Sequence, residues 1–593
     1  MSKLPLKTSL VTFKVLAGGK EIDSTYDVFS IRVVKEANKI PFAQVAFLDG
    51  DASTQDFETS NAAEFEPGKE MEIKLGYHNQ EQTIYKGLIV GQKLKVREGR
   101  PSLLVVECKD KIVKATIGRK NRYFLKSKDS DMIQTLLGEY GVSSQVGATS
   151  PQHKEVIQYY STDWDFILMR AEKNGLIVLA EDGKVSVKKP ELSAAPKLTF
   201  AYGDDIYEME VDMDATSQLK GVSSSAWDFS TQKVVKEDGA EPSVNKQGNL
   251  DGKKLADVTA PAKYEMFHAG ELETGELKAW ADARLLKSRL AKIRGWVIVQ
   301  GNNEISLGDV IELQGVGKRF KGNAFVSGIR HDVSEGNWRT YYQLGLSDEW
   351  FSQNRDVSEV PAAGLMPGVT GLQTGTVQKL EKDPDGEFRI QVKLPMVDEK
   401  GEGVWARLAR FYASNSIGAF FMPELQDEVI VGFVNDDPRF PVILGMLHSK
   451  KLPAPLTPED KNPRKALVTK SKLTLSFDDE DKIVEITTPG KNTITISDKD
   501  KSITIEDQNK NKVALTTSGI TLDSPKDIEI KAKGNITIQA NGNITTKATG
   551  NVSVQGTNVT NKANAKFEAS GNAGADLKTS AIATIQGTLV KIN

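Results

Sequence analysis

Residues 532–555 read AKGNITIQ, ANGNITTK and ATGNVSVQ, three octads in each of which Gly-Asn precedes a β-branched aliphatic residue. Side chains of an extended strand alternate between two faces. Ile536 and Ile538 therefore share one face with Thr537 on the other, and Val552 and Val554 oppose Ser553 in the same way. Each octad is expected to be a strand plus a corner. The corners fall at Gly534-Asn535, Gly542-Asn543 and Gly550-Asn551, because glycine accepts positive φ freely and asparagine tolerates it. So short a strand buries two side chains, worth about 1.5–3 kcal/mol each, and the ribbon has no second sheet to cover it. It gains enough only when further copies supply the missing walls and pair the open edges. Ile528, Ile530, Ile536, Ile538, Ile544, Val552 and Val554 are the expected core of that self-association. A flexible low-complexity tail is the competing explanation, and it leaves the strict alternation without a cause. The octads demand company without counting it.

Upstream, the pattern changes several times. Residues 11–110 alternate short strands with turns such as EPGKE, HNQE and REGRP, which predicts a small barrel or closed sheet. Two helices follow. Met132, Ile133, Leu136, Leu137 and Tyr140 lie on one face of the first, which stops at Gly141; Ser161 and Thr162 are cap candidates for the second, which ends in Asn174-Gly175. A third helix is expected over residues 273–294 from the stripe Ala279, Ala283, Leu286, Leu290 and Ile293, closing at Gly295. Strands then resume as a second small β unit to about Asp348. Residues 370–447 hold five or six short strands, which suit a five-stranded OB barrel. The expected domains are a first region at 1–360 with two β-barrel subdomains and helices, the barrel at 368–448, a four-proline linker at 449–466, and the repeat region at 467–593.

Composition excludes several functions. Lys+Arg 77 against Asp+Glu 80 gives a net charge of −3 over 593 residues, without the basic surplus that nucleic acid requires. The barrel loops carry Asp383, Asp385, Asp427, Glu428, Asp436 and Asp437, unlike the basic groove of a single-strand binder. Cys108, the only cysteine, lies in the apolar run LLVVECKD and reads as a buried small hydrophobe. Lys3, Lys7 and Lys14 surround no signal-peptide core, and no apolar run approaches the roughly 20 residues of a membrane span. His78, His153, His268, His331 and His448 show no metal-binding spacing, and no GxSxG or P-loop sequence occurs. Asp383 in DPDGEFRI lacks the remaining ligands of a calcium loop and reads as a turn. No cofactor, metal site or catalytic constellation is expected.

The barrel segments GTVQKLEKDPDGEFRIQVKLP, VWARLARFYA, GAFFMPELQDEVIVGF and NDDPRFPVILGML resemble those of the VgrG proteins, spike components of type VI secretion and related extracellular contractile injection systems. QYYSTDWDFILMRAEKNGLIVLAEDGKVSV and SLGDVIELQGVGKRFKGNAFVSGIRH resemble the hub portion, similar to phage late-control tail proteins. The resemblance implies a mainly β, multidomain homotrimer, with a hub, an OB-fold barrel and a C-terminal triple-stranded β-helix, or β-prism, as its needle. It implies docking on an inner tube protein and baseplate components, mechanical penetration of a target membrane, possible effectors as cargo, and no nucleic acid. The tip at 582–593, with Ile585, Leu589, Val590 and Ile592, would seat a small PAAR-repeat protein. Such a protein would be made in the cytoplasm, assembled into a tail-like particle and ejected. Residues 449–466 leave no room for the lysozyme domain that some phage spikes insert between barrel and needle. The alternatives are a trimeric tailspike or adhesin, and a glycan-degrading tail protein.

Overall fold

The structure, a computed structural model, describes residues 10–354 and 356–592. Lys3, Lys7 and Asn593 lie outside the described residues. The chain divides into two units at Leu447/His448.

In the first unit, a 13-stranded sheet joins both β-rich stretches into one ladder. Strand Gly322–Ser334 pairs with Asn337–Leu344 on one side and with Val28–Glu36 on the other, in register from Gly328 opposite Glu36 to Ser334 opposite Ser30. The two expected barrel subdomains are therefore two cores on one sheet. Phe47, Phe65, Met71 and Tyr85 centre the first, and Phe200, Val297, Ile311 and Tyr342 the second. The shared strand gives Val333 to the first and Ala324, Val326 and Ile329 to the second. Thirteen residues suffice to serve both, and no local pattern marks a pairing between strands some 300 residues apart.

Helices Asp129–Gly138 and Asp163–Lys173 build a third core with Met132, Ile133, Leu136, Leu137, Trp164 and Ile167. Thr162 is the cap of the second: its Oγ1 accepts the Asp165 N–H at 3.0 Å, and Gly175 at φ +67° ends it. The third helix runs Thr274–Leu290, four residues short of the expected end. Ile293 already opens strand Ile293–Gln300, and Gly295 belongs to that strand, where a Cβ would meet Glu210 O at 2.1 Å. Its glycine answers a close backbone approach, not a helix stop. The expected stripe is also only half of what this helix buries: Ala281 and Leu285 pack on a separate cluster with Leu219, Val222 and Met266.

Strands Gln373–Lys379, Ile390–Lys393, Val404–Leu408, Pro441–Met446 and Glu428–Phe433 close into a five-stranded barrel. Its interior is Val377, Ile390, Val392, Ala406, Val429, Val431 and Ile443, all buried.

The second unit opens with a seven-stranded antiparallel meander from Arg464 to Asp523. Arg464, Lys465 and Ala466 belong to its first strand, so the expected linker ends at 463. From 524 to 592 the chain makes no strand pairing within itself.

Candidate functional site

The meander and the octads turn by different means. Four meander hairpins close with an N–H to O=C bond between residues three apart: Lys472 to Thr469, Lys491 to Thr488, Lys501 to Asp498 and Lys510 to Asp507, at 2.8–3.2 Å. The donor lysine is left-handed in each, and Lys482 occupies the same place in a fifth turn; their φ values run from 49° to 71°. A full reversal within four residues requires that conformation. The sequence signal is Thr or Asp followed three residues later by Lys, at 469, 479, 488, 498 and 507, which a search for glycine and asparagine corners passes over.

The octads bend without it. Gly534, Gly542 and Gly550 are absent from the positive-φ residues, as are Asn535, Asn543 and Asn551, so the expected left-handed corner is corrected. The backbone bends at 525–526, 533–534, 541–542, 549–550, 557, 564–565, 572–573, 580–581 and 588. These are shallow changes of direction with no hydrogen-bonded reversal to force positive φ.

The bends define a register. Two and four residues beyond each bend stand Ile528 and Ile530, Ile536 and Ile538, Ile544 and Thr546, then Val552 and Val554. The repeat continues past the glycines, with one change of phase. Two intervals share fifteen residues on either side of Thr557, so Val559 and Phe567 stand where a strict octad would put Thr560 and Glu568. Phe567 and Ala569, then Ala575 and Leu577, then Ala583 and Ile585, and finally Val590 and Ile592 keep the new phase. Leu589 falls on the alternate position. Sequence reading missed Val559, Phe567 and Leu577 because Asn564-Ala565 and Asn572-Ala573 replace Gly-Asn at the bends.

One chain brings none of these side chains together. Ile538 is 73% exposed and Ile592 88%, and Ile528, Ile530, Ile536, Ile544, Val552, Val554, Ile585, Leu589 and Val590 are all exposed. A stripe of this length carrying large aliphatic groups in water is a surface made to be covered.

Charges in the first unit close on one another. Asp129, fully buried, accepts from Arg170 Nε at 2.6 Å and from Asn174 Nδ2 at 2.8 Å, and lies 3.2 Å from His153 Nε2 and from Lys173 Nζ. Burial opposes its ionisation, but the His153 hydrogen bond and the charges of Arg170 and Lys173 outweigh it and hold the carboxyl well below its usual range. The network ties both central helices to Glu276 of the third through Lys173. In the barrel, Arg389 clamps Asp383 through Nε at 3.0 Å and Nη2 at 2.6 Å, and Asp383 also accepts the Glu387 N–H. Arg439 neutralises Asp437 in the same manner. Asp383, Asp385 and Asp437 of the loops expected to be acidic thus have their own counter-charges. Phe411 and Phe420 also stand exposed, with the Arg410 guanidinium 4.7 Å from the Phe420 ring centre.

Cys108 is 1% exposed, and burial pushes its thiol up to about 12. Among the described residues, no group of three His, Cys, Asp or Glu is placed to hold a metal ion. No helix among them is long and apolar enough to cross a membrane.

The fold is that of a mainly β, multidomain protein with an OB barrel: the family description "Type VI secretion system/phage-baseplate injector OB domain" matches residues 373–448. A second description, "Alg8 N-terminal domain", matches residues 7–335, more than half of the chain, and the chain belongs to that family. The protein is also similar to the type VI secretion system spike protein VgrG1b of Pseudomonas aeruginosa, at 21% identity over 65% of this chain and 55% of the relative. It spans about half or less of the length of the curated relatives it matches. Among solved structures, the 43 kDa tail protein of prophage MuSo2 from Shewanella oneidensis aligns at a TM-score of 0.43 and 11% identity, over 57% of this chain and 99% of that one. An E. coli protein described as a component of the type VI secretion system aligns at 0.38 and 13%, over 73% of this chain and all of that one.

Proposed function

We propose that this protein is the trimeric central spike and baseplate hub of a contractile injection system. The observation that carries the proposal is the bend register of 524–592, which places an apolar residue on the stripe in every interval, and two in seven of the nine, and covers none of them within one chain. Three copies wound about one axis would turn each stripe inward and pair its free backbone groups, giving a dry needle. Similarity to VgrG spike proteins and the OB-domain match support this assignment.

In this role the chain transmits force and carries cargo, without chemistry of its own. Its buried titratable groups support that: Asp129, Arg170 and Lys173 are committed to one another, as are Arg289 and Glu241. The first unit would form the hub on the inner tube and baseplate. Ile585, Val590 and Ile592, in phase with the stripe, and Leu589, out of phase, would seat a PAAR-like tip protein. The particle would be assembled in the cell and the needle ejected through a target membrane, with effectors attached.

Light scattering on the full chain tests the core of this. The expected mass is three times 64.9 kDa, stable to dilution; a monomer overturns it. Co-purification of tube, sheath and tip proteins from the native host tests the partners.

A further inference from the structure

We propose that the ribbon formed by Lys120–Lys128 and Gln152–Ser161 docks on the edge strand Ile206–Met213 of a second copy of this chain, so that the N-terminal units close head to tail into a ring. This rests on the assembly of copies proposed above and names the surfaces that would make it.

The two strands of the ribbon pair only with each other. Their inner face is accounted for: Phe124 and Gln158 are buried, and Val156 packs on the helical core. By the alternation of a strand, the outer face of such a ribbon should be polar. It instead carries Tyr123, directly opposite Ile157, flanked by Leu125 and Tyr159, with Tyr123 75% and Tyr159 73% exposed. Two apolar faces on one ribbon mean two coverings, and the chain supplies one. Beside this patch Lys126, Lys128 and Lys154 are exposed, and none has a carboxylate partner among the described residues.

The complementary surface lies on the same chain. Ile206–Met213 ends the 13-stranded sheet, pairs only with Ile293–Gln300 and leaves its other edge open. Met209 and Val211 pack on the second core, so Glu208, Glu210 and Asp212 alternate outward. Glu210 and Asp212 have no cationic partner among the described residues. Tyr207, Glu210 and Asp212 follow the same spacing as Tyr123, Lys126 and Lys128. Two carboxylates on one strand face, about 7 Å apart, thus face two ammonium groups at the same repeat, with a tyrosine beside each pair. Every copy carries each surface once, so each gives and receives one contact. That is the heterologous geometry that closes a ring.

The test uses two differently tagged full chains, one carrying Lys126→Cys and the other Glu210→Cys. Buried Cys108 does not compete. A disulfide joining the two tags is expected. Reversing the remaining charges of that side, with Lys128→Glu and Lys154→Glu in the chain that carries Lys126→Cys, should abolish the cross-link and raise hydrogen exchange in 120–128 by at least tenfold. Adding Glu210→Lys and Asp212→Lys to the same chain should restore the protection, which a folding defect would not. A trimeric mass without the cross-link, or protection unaffected by charge reversal, overturns this contact alone; a monomeric mass overturns it together with the assembly.

Discussion

Trp338 donates its indole N–H to Nδ1 of His331 at 3.3 Å, at the seam where strand Gly322–Ser334 joins the two cores of the large sheet. The Thr340 hydroxyl meets the same nitrogen at 3.0 Å, and Trp338 stacks on Tyr77 at 5.4 Å. The imidazole is therefore held neutral. Burial pushes its pKa down from 6.5 to about 3, with the nearby Lys35 charge acting the same way.

A depressed histidine pKa makes stability fall with acid. The unfolded chain takes up a proton below pH 6.5 while the folded one refuses it until about 3, so this contribution is complete above 6.5 and is lost as pH falls toward 3. The slope is about 1.4 kcal/mol per pH unit. Urea unfolding followed by tryptophan fluorescence between pH 7 and 4.5 should show it, and His331→Gln should flatten it. An unchanged slope in the variant would refute the assignment.

Asp129→Ala removes the fully buried carboxylate that Arg170 and Lys173 share and leaves both on Glu276. Breaking a buried ion network in this way costs about 3–5 kcal/mol, read as a lower urea midpoint for the first unit. The carboxyl is depressed in the fold, so the wild type keeps this stabilisation above the ordinary carboxylate range and loses it as pH falls below that range. The variant should show no such loss, and its midpoint should converge with that of the wild type in strong acid.

Left-handed lysines strain the meander. A non-glycine residue in that conformation costs about 1 kcal/mol or more, so Lys491→Gly should slow hydrogen exchange of Thr493–Ser497 about fivefold, whereas Lys491→Val should accelerate it. Equal exchange in both variants would mean that the turn is not held in this conformation in solution.

In the proposed needle, the bend register would separate inner from outer positions. Ile538→Asp would place several unpaired carboxylates in one dry interior, so light scattering should find the full chain failing to assemble, while Thr537→Asp assembles normally. Beyond the phase change the same contrast should hold between Phe567→Asp and Glu568→Lys. If Glu568 proves the sensitive position, the octad runs unbroken through Thr557.

Much of this protein is written locally. The caps at Thr162 and Gly175, the apolar face of helix Asp129–Gly138, the barrel and the alternating octads all follow from residues within a few positions of one another, because propensity, capping and strand periodicity act over that range. Three features depend on partners far along the chain or on backbone geometry that residue types do not reveal. Pairing of Gly328–Ser334 with Ser30–Glu36 merges two expected barrels into one sheet, since a strand edge accepts any compatible edge whatever its distance in sequence. Gly295 looked like the end of a helix because its reason, Glu210 O at 2.1 Å from a Cβ, comes from another strand. Beyond Thr557 the corners lose their glycines, and only the bends of the folded backbone show that the stripe continues through Phe567 and Leu577 to Ile592.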